Sequence, residues 1–297
     1  MGKITLLDGG ISRELVVCGA ELTQPEWSAG ALIETPEAVL AAHCNFVAAG
    51  AQVVTVNAYA LVPFHIGEAR FESRGADLAD QAARLARQAV EGRAVQVAGC
   101  IPPLFGSYEP QRFDARRAPA MLDQLITAQS PHVDLWLIET TSSLEEAEAA
   151  LTALRGEARP VWLAFTLQDD AIDAPVLRSG ESVAAAAEYA ARAGVDAILF
   201  NCSQPEVMAA AVSITARAIA AVGSSAEVGV YANAFDDHKD GGDQGANDQI
   251  TELRPDMTPE AYLRWADTWV AAGATIIGGC CGIGPDHIAA LHDHFAE

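Results

Sequence analysis

Two adjacent cysteines, Cys280 and Cys281, are the residues of this chain best suited to chemistry. They stand in the segment Gly278-Gly279-Cys280-Cys281-Gly282, directly after an apolar run. Neighbouring cysteines seldom bond to each other, because a disulfide strains the peptide between them. Both thiolates can reach one metal ion if the backbone turns sharply, and the flanking glycines permit such a turn because they accept positive φ. A third thiolate would leave one ligand position open, which is typical of a catalytic zinc.

The elements that must position these thiols alternate regularly along the chain. Short β-branched runs predict eight strands: Ile4–Leu7, Gln52–Val56, Val95–Ala98, Val133–Ile138, Val161–Phe165, Ala197–Phe200, Val228–Tyr231 and Ala274–Ile277. Ala-rich amphipathic stretches predict helices at 36–49, 77–91, 116–130, 143–154, 181–193, 205–221, 258–272 and 284–295. This alternation predicts an α/β fold, a (β/α)8 TIM-type barrel, as a single domain over residues 1–297. An open doubly wound sheet is the alternative.

Several predicted boundaries carry their own signals. Thr35-Pro36-Glu37 and Thr258-Pro259-Glu260 each supply an N-cap, a Pro at the first helical position and an acid at the positive end of the helix dipole. The polar segment Asp236–Asp248 predicts a flexible loop after the seventh strand. Glycines mark three helix ends before strands: Gly50, Gly194 and Gly273.

Composition excludes several classes of partner and location. The formal net charge of −22 argues against nucleic acid or an anionic membrane as a partner. The six cysteines are too few and too irregularly spaced for a disulfide framework, and they predict reduced thiols in a cytosol. No apolar run approaches the length of a membrane span, and the N-terminus lacks a signal-peptide core. The sequence therefore predicts a soluble, cytoplasmic protein.

Polar and thiol residues follow seven of the predicted strands. The active site of such a barrel lies at the C-terminal ends of its strands. The residues found there are Asp8-Gly9-Gly10, Asn57-Ala58-Tyr59, Gly99-Cys100, Glu139-Thr140, Asn201-Cys202-Ser203, Tyr231-Ala232-Asn233 and Cys280-Cys281. This placement predicts that Cys202 joins Cys280 and Cys281 on one rim, with Cys100 as a fourth thiol.

Each of these residues also has a structural explanation. A single Cys after a strand is usually a small buried hydrophobe, which is the default for Cys100 and, taken alone, for Cys202. Glu139 follows an apolar strand, so its carboxylate is either paired or functional. Asp8 can serve merely as a turn cap before two glycines.

Several segments together carry a resemblance that extends over essentially the whole chain. They are Asp8-Gly9-Gly10 with Glu14-Leu15, Pro25-Glu26-Trp27-Ser28, His43 before Ala49-Gly50-Ala51, Asn57-Ala58-Tyr59, Glu139-Thr140, Asn201-Cys202, and Gly278-Gly279-Cys280-Cys281-Gly282 followed by Pro285-Asp286-His287-Ile288. These segments resemble the homocysteine S-methyltransferase family. The paired Cys motif with an upstream Asn-Cys is the most specific of them.

The resemblance implies roles for eight residues. It implies a zinc ion held by Cys202, Cys280 and Cys281. It also implies that Asp8 and Glu139 hold the amino group of homocysteine. Further substrate-binding residues that the resemblance implies are Asn57, Tyr231 and Asn233.

The chain departs from the family pattern at three places. Ala232 stands where the family usually has Pro between Tyr and Asn, and Gly10 stands where Ala is common, a change that we expect to be harmless. The segment Gly99-Cys100-Ile101-Pro102-Pro103 differs from the usual Gly-Ser-hydrophobic-Gly-Pro. Because this segment lines the rim, the departure affects the expected shape of the methyl-donor pocket.

The implied reaction is transfer of a methyl group to the thiol of homocysteine, which gives methionine. Three thiolates carry more negative charge than Zn²⁺ neutralises, so a fourth sulfur keeps electron density and stays nucleophilic. A sulfonium donor, S-methylmethionine or S-adenosylmethionine, loses its charge on transfer and needs no general acid. That property fits a rim that has no obvious acid–base pair.

Other donors and other classes of function stay open. Betaine would favour an aromatic cage, to which Trp27, Tyr59 and Tyr108 could contribute. Methylcobalamin would require further binding domains or a separate partner protein. A zinc–thiolate barrel that binds metal or thiols without turnover is another alternative. A hydrolase is disfavoured, because three thiolates make zinc too electron-rich to acidify water well.

Overall fold

A ring of eight parallel strands forms the centre of the fold in the computed structural model, which describes residues 3–235 and 253–295. The strands are β1 (Thr5–Leu6), β2 (Val53–Thr55), β3 (Gln96–Ile101), β4 (Leu135–Thr141), β5 (Val161–Phe165), β6 (Ala197–Asn201), β7 (Glu227–Tyr231) and β8 (Ile276–Ile277). Hydrogen-bonded neighbours follow the order β1-β8-β7-β6-β5-β4-β3-β2. A parallel bridge between Leu7 and Val53 joins the two ends of this order. The predicted (β/α)8 barrel is confirmed.

Helices surround this ring in the part of the chain that the structure describes. They are α1 (Ile11–Val17), α2 (Ser28–Glu34), α3 (Pro36–Ala48), α4 (Pro63–Ile66), α5 (Glu68–Ala89), α6 (Ala118–Gln129), α7 (Leu144–Ala153), α8 (Val183–Ala193), α9 (Pro205–Val222), α10 (Pro259–Ala272) and α11 (Pro285–Phe295). Every predicted helix is present with at least one end shifted, whereas α1, α2 and α4 were not predicted. The predicted loop at 236–248 lies outside the described residues.

The join between α2 and α3 differs from the prediction. Thr35 was predicted as the N-cap of α3, but its hydroxyl donates to the carbonyl of Ala31 at 3.3 Å. The Ala31 carbonyl already accepts from the Thr35 N–H at 2.8 Å, so the hydroxyl adds a second hydrogen bond at the end of α2. Thr258 behaves as predicted, since its Oγ1 accepts a hydrogen bond from the backbone N–H of Ala261 at 3.3 Å.

Helix α5 begins at Glu68 rather than at the predicted residue 77. Charged residues and Gly75 obscured its first turns in the sequence. Gly75 is instead a point of close contact with α6, because a Cβ there would overlap the amide of Gln124. Nε2 of Gln124 donates to the carbonyl of Phe71 at 3.0 Å and so ties the two helices together.

Helix α9 corrects the expectation that no apolar run reaches the length of a membrane span. It has 18 residues with a mean hydropathy of 1.4, enough to cross a membrane by length and composition alone. Its buried residues include Val207, Met208, Ala211 and Val212, which belong to the main hydrophobic core. A core helix of a barrel passes the same test, so α9 is weak support for a membrane span.

Candidate active site

Three sulfur atoms meet at the C-terminal ends of β6 and β8. Cys202 directly follows β6, and Cys280 and Cys281 lie in the turn after β8. The three Sγ atoms all lie within 4.8 Å of one another, although 78 residues separate Cys202 from Cys280. Within residues 3–235 and 253–295, this is the one group of His, Cys, Asp or Glu side chains close enough to share a metal ion.

Cys202 and Cys280 are joined by a disulfide, whereas the sequence predicts reduced thiols. Their Cα atoms are 5.6 Å apart, and this separation is within the usual range for a disulfide. Cys281 keeps a free thiol, and its Sγ lies 3.9 Å from that of Cys202. Reduction of the disulfide therefore gives three thiols in one place.

The separation of Cys202 and Cys281 fits two thiolates on a tetrahedral zinc ion, whereas the bonded sulfurs of Cys202 and Cys280 would have to move apart to bind the same ion. Two thiolates at the usual Zn–S distance of about 2.3 Å lie about 3.8 Å apart, close to the 3.9 Å between Cys202 and Cys281. Thiolates are also soft ligands, which zinc accepts readily. Burial raises the pKa of the Cys281 thiol to about 12, so the thiol is protonated near neutral pH, and a cation bound beside it would be needed to make it a thiolate.

The backbone around the sulfurs requires unusual conformations and a close approach. Cys202 has a φ of 49°, which is uncommon for a residue with a side chain, and Gly282 completes the turn with a φ of 83°. Gly10 packs against the backbone of Cys280 and Cys281, and a Cβ on Gly10 would overlap the Cys280 carbonyl oxygen. The close approach leaves no room for a Cβ at this position, so Gly10 fits here, in keeping with the expectation that it is harmless in place of Ala.

A cleft of about 110 Å³ opens beside the sulfurs. Its lining comes mostly from strand ends and the loops that follow them: Leu7, Asp8, Gly9, Gly10, Ile11, Ser12, Trp27, Ser28, Thr55, Val56, Tyr59, Tyr108, Glu139, Thr140, Cys202, Tyr231, Gly279, Cys280 and Cys281. The structure thus brings Asp8, Glu139 and Tyr231 together with the three cysteines.

Asn57 and Asn233 are buried outside the lining of this cleft. Nδ2 of Asn57 donates to the carbonyl of Ser28 at 3.3 Å. Oδ1 of Asn233 accepts from the backbone N–H of Phe235 at 3.3 Å. Both side chains support the backbone of neighbouring loops, and their contact with a substrate stays a prediction.

Two carboxylates share the cleft with the sulfurs. Asp8 accepts from the backbone N–H of Thr55 at 2.7 Å and from the Thr55 hydroxyl at 3.1 Å. Burial raises the pKa of Asp8 to about 8 and that of Glu139 to about 7, and hydrogen bonds from Thr55 and Cys100 oppose these shifts. Because a desolvated carboxylate gains strongly from a cationic partner, this cleft favours a ligand that carries a positive group.

Aromatic side chains form another part of the lining. Trp27, Tyr59 and Tyr108, which were predicted to offer aromatic surface, all face the cleft. The Tyr59 hydroxyl is hydrogen-bonded to the Ser107 hydroxyl at 2.6 Å. The Arg178 guanidinium lies 5.0 Å from the centroid of the Tyr108 ring. These contacts hold the two tyrosine rings in place at the cleft.

The amide of Asn201 holds the turn that follows Glu139. Thr140 has a φ of 57°, and the register between β4 and β5 shifts between Ile138 and Thr141. Oδ1 of Asn201 accepts from the Thr140 backbone N–H at 2.9 Å, and Nδ2 donates to the Thr140 hydroxyl at 2.9 Å. Asn201 immediately precedes Cys202, and Thr140 immediately follows Glu139. The Asn201 side chain therefore links the carboxylate wall of the cleft (Asp8 and Glu139) to the sulfur cluster (Cys202, Cys280 and Cys281).

Replacing Asn201 by Ala is expected to lower the free energy of unfolding by about 1–3 kcal/mol, because the Thr140 N–H is left buried without a partner. Urea unfolding followed by circular dichroism measures the change. Asn45→Ala is the matched control, since the Asn45 side chain donates to Glu14 at 2.6 Å from an exposed position. Equal losses in the two variants would show that the Asn201 amide does not hold the turn.

The fold and the cleft together define a barrel suited to hold a metal ion and a cationic ligand side by side. A sequence model of the homocysteine S-methyltransferase family matches residues 5–295. The chain is 30% identical to the homocysteine S-methyltransferase of Escherichia coli, over 97% of this chain and 94% of that protein. It is 27% identical to the betaine–homocysteine S-methyltransferase 1 of Bos taurus, over 99% of this chain and 73% of that protein.

Solved structures agree with the sequence relatives. The metallated form of the homocysteine methyltransferase MmuM from Escherichia coli matches with a TM-score of 0.77 and 26% identity, over 98% of this chain and 96% of that one. The oxidized form of the same protein matches with a TM-score of 0.75 and the same identity and coverage. This chain therefore belongs to the homocysteine S-methyltransferase family and is a methyltransferase.

Proposed function

We propose that this protein transfers a methyl group from a sulfonium donor, S-methylmethionine or S-adenosylmethionine, to the sulfur of homocysteine, giving methionine. In this proposal Cys202, Cys280 and Cys281 hold a zinc ion. The observation that carries the proposal is that two desolvated carboxylates, Asp8 and Glu139, share one small cleft with three sulfurs. An amino acid whose ammonium binds the carboxylates would present a side-chain thiol to the sulfur cluster.

The residues of the cleft would bind and orient the substrate. When bound, zinc supplies a Lewis acid that lowers the pKa of a coordinating thiol, so that its sulfur is deprotonated near neutral pH. Asp8 and Glu139 would hold the ammonium and fix the line of attack. The homocysteine sulfur donates a lone pair to the methyl carbon as the donor S–C bond breaks. The electron pair of that bond neutralises the sulfonium, so no general acid is needed.

The disulfide between Cys202 and Cys280 must be reduced before the metal binds, since zinc is held by thiolates. The Escherichia coli relative is known in a metallated and in an oxidized form, which supports the same pair of states for this chain. Metal binding by these cysteines needs reduced thiols, and thiols stay reduced in a reducing compartment. This requirement agrees with the predicted cytoplasmic location.

The aromatic residues support a cationic donor. The faces of Trp27, Tyr59 and Tyr108 attract a sulfonium, and they attract a quaternary ammonium by the same interaction. Betaine is therefore the second candidate donor, and one relative is named for it. The transfer from betaine would leave an amine rather than a thioether.

The test uses reduced protein loaded with zinc, homocysteine, and one donor at a time with an isotopically labelled methyl group. S-Methylmethionine, S-adenosylmethionine and betaine are compared, and mass spectrometry detects labelled methionine. We expect label to be transferred from a sulfonium and not from betaine. Failure of all three donors with zinc bound would overturn the proposal, whereas transfer from betaine alone would replace the donor.

The ratio kcat/KM for homocysteine is expected to rise as the pH increases from about 6 to about 8. Glu139 and Asp8, with pKa values raised to about 7 and about 8, must lose their protons to bind an ammonium. Stability should change in the opposite direction. Because the folded protein holds these protons more tightly than the unfolded chain, their contribution to the unfolding free energy is present at acid pH and is lost as the pH rises through 7 to 8.

Initial rates at each pH measure how kcat/KM changes with pH, and urea unfolding at each pH measures how the unfolding free energy changes. The double variant Asp8→Asn with Glu139→Gln is the control: the pH dependence of kcat/KM should flatten in it, whereas that of stability should weaken only in part, because burial also raises the pKa of Glu146 to about 7. A kcat/KM that stays constant across this range in the native protein would contradict the assignment of the two carboxylates as the ammonium site.

A further inference from the structure

Cys100 is a fully buried thiol in contact with the carboxylate wall of the cleft. Its Sγ lies 2.9 Å from Oε1 of Glu139 and donates a hydrogen bond to it. Cys100 itself does not line the cleft. It stands directly behind the carboxylate proposed to bind the ammonium of homocysteine.

The backbone of Cys100 is fixed by a side chain from α6. Oε1 of Gln129 accepts from the Cys100 N–H at 2.9 Å, and Nε2 of Gln129 donates to the Cys100 carbonyl at 2.9 Å. A further bond from Nε2 to the carbonyl of Leu125, at 3.1 Å, anchors the amide to its own helix. Both Gln129 and Cys100 are completely inaccessible to solvent. The backbone that carries the Cys100 thiol is therefore held in place next to Glu139.

We propose that Cys100 is a positioning residue, whose thiol holds Oε1 of Glu139 so that Oε2 faces the ammonium of homocysteine. This inference rests on the proposed function. A thiol that only filled space would not need to lie within hydrogen-bond distance of a carboxylate oxygen. Burial raises the pKa of Glu139, and the bond from Cys100 lowers it, so the thiol also favours the charged form that an ammonium requires.

The first test measures homocysteine binding to the zinc-loaded, reduced protein by calorimetry, without any donor. Cys100→Ala is expected to weaken binding by about tenfold, the factor for losing one hydrogen bond to a charged group. Cys100→Ser keeps a donor and should restore most of the affinity. In steady-state kinetics, Cys100→Ala should raise the KM for homocysteine while kcat and zinc content stay close to those of the native protein.

Two controls separate positioning from packing. Val97 is a fully buried residue of β3 whose side chain faces the other side of the strand, so Val97→Ala should destabilise the protein without changing homocysteine affinity. In the Glu139→Gln background, Cys100→Ala should have little further effect on affinity, because the group that it positions has lost its charge.

The outcomes are distinct. If native protein binds homocysteine and Cys100→Ala binds it equally well, this inference fails and the proposed function stands. Additive effects in the double variant would also overturn the inference, even if Cys100→Ala were less stable. If zinc-loaded native protein does not bind homocysteine at all, the inference and the proposed function fail together.

Discussion

Replacing Cys281 by Ser is expected to remove both bound zinc and methyl transfer. A serine hydroxyl does not become an anionic ligand as a thiol does, so only two of the three thiolates remain. The loss should exceed the roughly 10- to 100-fold that removal of an outer-shell partner costs in metal affinity or activity. Metal analysis of the reduced, dialysed protein and labelled methionine formation on the same sample measure the two effects.

Cys18→Ser is the matched control for this change. Cys18 is a free, partly buried cysteine at the C-terminus of α1, and it takes no part in the sulfur cluster. The control should keep one zinc ion per chain and the native rate. A Cys281→Ser protein that still held stoichiometric zinc would show that the ligand assignment is wrong.

Glu139→Gln is expected to raise the KM for homocysteine by about 10- to 150-fold. Glutamine keeps the shape of the side chain but removes its charge, and a hydrogen bond to a charged group contributes about 1.5–3 kcal/mol, with about 1.36 kcal/mol for each factor of ten. Zinc content should not change, since Glu139 is not one of the three sulfur residues. Initial rates with homocysteine varied at saturating donor measure the effect.

Glu146→Gln is the control, because Glu146 is a second desolvated carboxylate whose pKa burial raises to about 7. Its Oε2 accepts from the Ser142 N–H at 2.7 Å, and it lies outside the lining of the cleft. The Glu146→Gln substitution should leave the KM for homocysteine unchanged. Equal increases in KM for the two variants would mean that the loss of a buried charge, rather than contact with the ammonium, causes the effect.

Strand and helix periodicity predicted the barrel because each strand is apolar on both faces and each long helix has one apolar face. The predicted bounds of β5, Val161–Phe165, are those of the structure. The bounds of β1 are shorter than predicted: its register with β8 covers Thr5 and Leu6, whereas Leu7 donates its N–H to the Ile277 carbonyl at 2.9 Å and also bridges to Val53. Which neighbour a strand end contacts depends on the closed ring, and local sequence does not contain that information.

The convergence of the site residues was predictable for a related reason. Parallel strands of a barrel end on one face, so Asp8, Glu139 and the cysteines had to share a rim once the strands were located. Side-chain direction was not predictable in this way. Asn57 turns to the carbonyl of Ser28, and the default of simple packing for Cys100 missed its bond to Glu139.

The hydrogen-bond partners of the site residues could not be predicted from the sequence either. Gln129 lies at the end of α6, 29 residues after Cys100 on the strand it supports, and no motif marks it. Thr55 offered a weak signal as a polar residue near the end of an apolar strand, yet its bonds to Asp8 depend on the pairing of β1 with β2 around the closed ring. Such contacts between distant segments are set by tertiary structure.

The join between β1 and β8 has a consequence for biosynthesis. The carbonyl of Asp8 accepts from the N–H of Gly279 at 2.9 Å, and the N–H of Gly10 donates to Ile283 at 2.9 Å. A ribosome makes one side of this junction among the first residues of the chain and the other some 270 residues later. A nascent chain therefore cannot bring Asp8 and the three cysteines together until translation has passed the final strand, so the proposed site forms late in biosynthesis.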